Sequence, residues 1–192
     1  NHQDYLIFGE PLIPEMGKHF FRRTRIVYAH RRANGSWTSD PFLRRNELGV
    51  GQYDASWARI EAEWYFAASL DTHKRELDPG GGFAVAVAPG SWLQFPQVHH
   101  LRPKQRLVLA LSPVARSGLS IEVRRGDHRG ALLGRVAIAA PERGQAAQME
   151  PALELEIGNE PGTIDLCFVF TGVEKDLALF DYWRAVSPDP QN

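Results

Sequence analysis

The stretch Arg59-Ile60-Glu61-Ala62-Glu63-Trp64 decides the reading of the fold. It sets two carboxylates two residues apart at the head of a strand-like run. Side chains on a strand alternate faces, so Glu61 and Glu63 are expected to project together, with Ile60, Ala62 and Trp64 on the other side. Like charges side by side repel; a bound cation is one way to make that arrangement favourable, and a solvated sheet face is the other reading. Far downstream, Leu177-Ala178-Leu179-Phe180-Asp181-Tyr182-Trp183 offers another acid inside a strand-like run. Together Glu61, Glu63 and Asp181 suggest a β-sandwich tied by structural calcium (Ca2+), with backbone carbonyls completing the shell of six to eight oxygens that this ion takes.

The flanking sequence reads the same way. Strands are expected over 60–66, 83–87, 91–98, 106–111, 120–125, 132–138, 149–157, 163–170 and 178–186. Ile121 and Val123 alternate with Glu122 and Arg124, and Leu153, Leu155 and Ile157 alternate with Glu154 and Glu156. Turn signals separate the runs, among them Pro89-Gly90, Arg125-Gly126-Asp127 and Pro161-Gly162. Short strands at this spacing indicate an all-β sandwich or barrel. Before residue 50, Tyr5-Leu6-Ile7-Phe8 and the run Arg23 to His30 read as strands, and Ala33-Asn34-Gly35-Ser36 reads as a tight turn. Two or three strands cannot bury both faces alone, so this part is a sheet fragment rather than a domain. The organisation is therefore a strand set at 1–50, a linker at 51–58, a sandwich at 59–187 and a tail at 188–192.

Composition narrows the function. Hydrophobic residues make up 43% of the 192, which supports a sizeable core. A net charge of −1 argues against nucleic acid as the main partner. No run is long enough for a membrane span. Cys167 stands alone, which rules out an intrachain disulfide, and its apolar surroundings suit a small buried side chain better than a catalytic thiol. The chain opens at Asn1-His2-Gln3, without methionine, and reads as a piece of something longer or a processed product.

Five pieces in order give residues 59–187 a resemblance to carbohydrate-binding module family 6, a β-sandwich jelly roll. Ile60-Glu61-Ala62-Glu63 is similar to that family's opening strand, and Gly90-Ser91-Trp92-Leu93 to its Gly-Asp-Trp corner. Ser120 to Arg124 with Gly130 to Gly134 resembles the central hairpin. Gly162 to Gly172 resembles the penultimate strand and Phe180-Asp181-Tyr182-Trp183 the closing one. Residues 1–50 resemble the end of the five-bladed propeller of glycoside hydrolase family 43, through Tyr5 to Phe8, His19 to Tyr28 and Ala33 to Trp37.

The resemblance implies an accessory module of a secreted or periplasmic bacterial enzyme that degrades plant cell-wall polysaccharide. The activity implied is of β-xylosidase or α-L-arabinofuranosidase type, with catalytic acids on upstream blades that this chain lacks. The partners implied are plant polysaccharide or oligosaccharide and those blades. The loop around Gly81 to Phe83 is the carbonyl source implied for calcium. By resemblance His19 lies near the propeller axis, and His19, Arg22 and Arg23 are candidate sugar contacts. The family's sugar clamp departs here. Ala86 replaces a tyrosine, 141–146 carries no aromatic, and Asp176 stands where asparagine is expected. A degenerate module that packs on the catalytic domain and completes it is the alternative. Trp64, Trp92 and Phe95 lie within strands and are expected in the core. Adjacent strand residues face opposite ways, so His99 and His100 are not expected to share an ion.

Overall fold

The computed structural model describes residues 3–11, 22–40, 50–51, 53–79, 82–113, 118–140, 148–158, 162–175 and 177–186. All regular structure among them is β, apart from a single 3-10 turn at Ala62–Trp64. A first sheet comprises β1 (Tyr5–Pro11), β2 (Arg22–Arg31) and β3 (Trp37–Ser39), paired antiparallel. The β2–β3 connection is the tight turn expected from Asn34-Gly35. Gly35 takes a φ of +85°, and Asn34 Oδ1 accepts from the Ser36 amide and hydroxyl.

Two six-stranded sheets face each other as a sandwich. The first has the order β13 (Ala152–Glu154), β10 (Arg106–Pro113), β15 (Ala178–Val186), β8 (Phe83–Val87), β7 (His73–Glu76), with β5 (Ile60–Glu61) also on β15. The second has the order β12 (Leu132–Ile138), β11 (Leu119–Arg125), β14 (Ile164–Thr171), β9 (Trp92–His99), β4 (Tyr53–Asp54), with β6 (Ala67–Ala68) also on β9. Tyr53 is fully buried, so the stretch expected as a linker contributes a strand and a core ring.

Alternation builds the core between the sheets. Ile121 and Val123 point in, as do Leu153, Leu155 and Ile157, while Glu154 and Glu156 point to solvent. Phe95 packs edge-on against Tyr53, Phe168 and Trp183 at centroid distances of 5.2–5.6 Å. Cys167 is buried, and burial pushes its thiol up to about 12, in keeping with an inert side chain. Gly134 lets β13 approach β12 closely. A Cβ there would meet Leu153 Cδ1 at 2.6 Å and Glu154 O at 2.7 Å.

The closing strand departs from simple alternation at the acid of interest. Phe180 and Trp183 are both fully buried although three residues apart. A β-bulge reconciles them: Phe180 pairs with Leu111 and Tyr182 with Ala110, which leaves Asp181 as the extra residue. The bulge lies beside the point where β5 pairs with β15, at Tyr182 and Trp183.

Candidate functional site

The opening run is not one strand. It pairs only at Ile60 and Glu61 and then winds into the 3-10 turn. The alternation expected for 60–66 therefore stops at Glu61. Glu63 is buried at 5% exposure, while Glu61 and Asp181 are half-buried. Burial raises the pKa of Glu63 well above the usual carboxylate range, and the charges of Glu61, Asp40 and Asp181 add to that rise. Glu61 and Asp181 are also raised, first by burial; Arg59 opposes both shifts, and Asp181 adds to the rise at Glu61. Compensation is thin. Arg59 Nε meets Glu61 Oε1 at 2.7 Å from an exposed position, Gln148 Nε2 donates to Asp181 Oδ2, and Glu63 Oε2 is buried with no hydrogen-bond partner.

The three predicted ligands are thus gathered into one electrostatic neighbourhood. A hard oxygen-seeking cation suits a donor set of carboxylates with an orphaned buried oxygen. Among the described residues, though, no group of three or more His, Cys, Asp or Glu side chains converges as a metal cluster. Phe83 opens β8 and Gly82 precedes it, while Gly81 is outside the described residues.

The same turn is the point where the first sheet docks on the sandwich. Gln3 Nε2 donates to the carbonyls of Glu63 and Tyr65 at 2.8 and 2.7 Å. The Tyr28 ring stacks on Trp64, with centroids 6.0 Å apart and planes 5° from parallel. Tyr53 Oη donates to the Trp64 carbonyl at 2.6 Å, so it accepts from Tyr28 Oη, which in turn accepts from the Gly51 amide. Burial pushes the Tyr28 hydroxyl up to about 12. Asp40 accepts from Trp64 Nε1 at 2.7 Å and from His30 Nε2 at 2.8 Å. Lys74 Nζ lies 3.3 Å from His30 Nδ1 and donates to Ala29 O at 3.1 Å. The ammonium has only protons to give, so Nδ1 accepts and Nε2 carries the hydrogen donated to Asp40. Desolvation pulls Lys74 down to about 8. Arg32 and the Ala33 amide both bind the Glu76 carboxylate, and His30 stacks on Phe83 at 4.6 Å.

None of this seam was anticipated. Its residues lie up to 62 positions apart and match no motif. Of the aromatics expected in the core, Phe95 is there, Trp64 sits at the seam, and half-buried Trp92 stacks on His128 at 5.1 Å. His100 Nδ1 pairs with Asp54 at 2.8 Å, while the His99 ring stands 6.2 Å from that of His100. Ala86 lines a shallow hollow of about 110 Å³ with His73, Arg75 and Leu179, where the resemblance implies a tyrosine. His19, Asp176 and 141–147 lie outside the described residues, as do the Arg22 and Arg23 side chains, although both residues sit on β2 opposite Pro11 and Glu10.

No family model and no curated protein matches the sequence. Solved structures do match. A β-1,3-glucan-binding family 6 module from Bacillus halodurans aligns with 71% of this chain and 99% of its own, at TM-score 0.59 and 28% identity. The sandwich carries the fold of a family 6 carbohydrate-binding module. A second family 6 module, from Clostridium cellulolyticum in complex with xylose, aligns with 70% of this chain and 99% of its own, at TM-score 0.59 and 22% identity. A family 43 arabinoxylan arabinofuranohydrolase from Bacillus subtilis, in complex with cellotetraose, aligns with 96% of this chain at TM-score 0.56 and 20% identity. That alignment takes in the strand set as well as the module, and this chain spans 38% of the hydrolase. The architecture is a sandwich with the fold of a family 6 module, preceded by strands that the alignment to the family 43 hydrolase also covers. Among the described residues no helix is long and apolar enough to cross a membrane.

Proposed function

We propose that the chain is the accessory carbohydrate-binding unit, with the closing propeller strands, of a secreted plant-polysaccharide glycoside hydrolase of β-xylosidase or α-L-arabinofuranosidase type. The observation that supports this reading is that one alignment to a family 43 hydrolase takes in 96% of the chain, strand set and module together, and that the two parts here share a buried hydrogen-bonded seam. The outer face of the strand set supports it as well. Leu6 and Trp37 are 48% and 60% exposed there, an apolar surface suited to neighbouring propeller blades. Those blades would carry the catalytic acids, and this chain alone would not hydrolyse glycosides. His19, Arg22 and Arg23 would face the sugar from the propeller side. The module raises the effective concentration of the catalytic unit near the polymer.

Calcium belongs to the same proposal. Glu61, Glu63 and Asp181 would hold it, joining the first and last strands of the module and stabilising it by mass action. Its chemistry there is charge neutralisation only; the residues gather the carboxylates and exclude water around Glu63. Titration of the chain with xylo- and arabino-oligosaccharides by calorimetry tests the sugar reading, and binding heat with a tryptophan fluorescence change is expected.

One observation favours a second reading, a structural module that completes the catalytic domain. Ala86 stands in place of the clamp tyrosine while the seam is extensive. Absence of heat and of any fluorescence change with every oligosaccharide would select it.

A further inference from the structure

We propose that an open pocket at the seam, lined by both the strand set and the module, binds a sugar that bears a carboxylate, a uronate unit of a polysaccharide. The proposal rests on the carbohydrate-binding reading above and names the class of sugar. The pocket has a volume of about 300 Å³, the scale of a single sugar ring's site. The strand set contributes Asp4 and Arg31, and the module contributes Leu70, Thr72, His73 and Lys74. Neither part forms it alone, so an isolated module would lack it.

The charges select the ligand. Arg31 and Lys74 are fixed cations, and Asp4 is the one carboxylate of the lining. Asp4 lies close enough to favour the charged form of Lys74. Lys74 spends two of its three N–H groups on Ala29 O and His30 Nδ1, and its ammonium stands 5.7 Å from the Tyr65 ring. One donor is left over for a ligand. Arg31 is exposed, and its guanidinium makes no hydrogen bond or ion pair among the described residues. A planar guanidinium matches a carboxylate through paired N–H donors, and an ammonium beside it adds a point charge. Glu63 and Asp40 also act on Lys74, but Asp40 is committed to His30 and Trp64, and Glu63 does not line the pocket. The lining is therefore one positive charge in excess. A carboxylate ligand meets that excess and a neutral sugar does not. Asp4 and the Thr72 hydroxyl suit sugar hydroxyls, and Leu70, 75% exposed, gives the apolar C–H face of the ring a surface.

The test is calorimetric titration of the full chain with xylotetraose and with the same oligosaccharide substituted by glucuronic acid. The acidic ligand is expected to bind about tenfold more tightly, the scale of a charge-assisted pair. That gain should shrink as salt is raised. Arg31→Gln, an exposed change that leaves the melting temperature in place, should abolish the gain and keep xylotetraose affinity intact. A galacturonate trimer in parallel tells a pectic from a xylan source, and binding of either acid more tightly than xylotetraose supports the assignment. Equal affinity for acidic and neutral ligands, or a gain that survives Arg31→Gln, overturns the pocket while the carbohydrate reading stands. No binding of any oligosaccharide overturns both.

Discussion

The interior of the sandwich and the seam beside it are held by different physics. Inside, Phe95, Phe168, Phe180 and Trp183 pack ring against ring, with stabilisation that comes from apolar area removed from water. At the seam, Tyr28, Tyr53, Trp64, Asp40, His30 and Lys74 are aromatic or charged, and nearly every polar atom finds a named partner. Apolar packing tolerates re-packing of similar volumes, whereas a hydrogen-bonded network tolerates no missing member. The seam is therefore the more specific joint and the interior the stronger one.

Core truncation should have the largest effect. Trp183→Ala removes a fully buried side chain at the junction of the two sheets and should cost about 3–5 kcal/mol. Denaturant melting should show it as a shift of the whole transition. Asp40→Ala comes next, since it strips partners from both His30 and Trp64 Nε1. Buried groups left unpaired cost about 1–3 kcal/mol each. Still one transition is expected, at a lower midpoint. If a separate early phase appears instead, the seam is a weak contact and the comparison breaks.

Glu63→Gln sharpens the contrast from another side. In chelator it removes a buried, uncompensated carboxyl group crowded by the charges of Glu61, Asp40 and Asp181, and it should stabilise the chain by roughly 1–3 kcal/mol, the scale of a buried polar group left uncompensated. With calcium the wild-type melting temperature should rise and that of the variant should not. A wild-type melting temperature indifferent to chelator would remove the ion from the account. Arg32→Ala should matter least, about 1 kcal/mol or below, because its pairing with Glu76 is partly screened by solvent.

The sandwich was legible where alternation is strong. Ile121 and Val123 against Glu122 and Arg124 announced β11, and Asn34-Gly35 announced a hairpin turn. β7 was not legible, because His73-Lys74-Arg75-Glu76 carries no apolar signal and gains its place by pairing with Phe83 to Ala86. The short strand β4 is fixed by Tyr53 reaching across to Phe95 and Trp64, which no local pattern encodes. Glu61, Glu63 and Asp181 stand out in sequence by spacing and resemblance. The turn that buries Glu63 was hidden, since Ala62 to Trp64 follows strand alternation in sequence and departs from it in space. The bulge at Asp181 did leave a trace: Phe180 and Trp183, both bulky, stand at a separation that an unbroken strand would send to opposite faces.

Native-state hydrogen exchange of the full chain in graded denaturant tests the central claim, that strand set and module are one cooperative unit, most directly. Amides of Tyr28 to His30 and of the module's β9 and β14 should open together, with the same dependence on denaturant. Exchange of the β2 amides at low denaturant while β9 and β14 stay protected would contradict it.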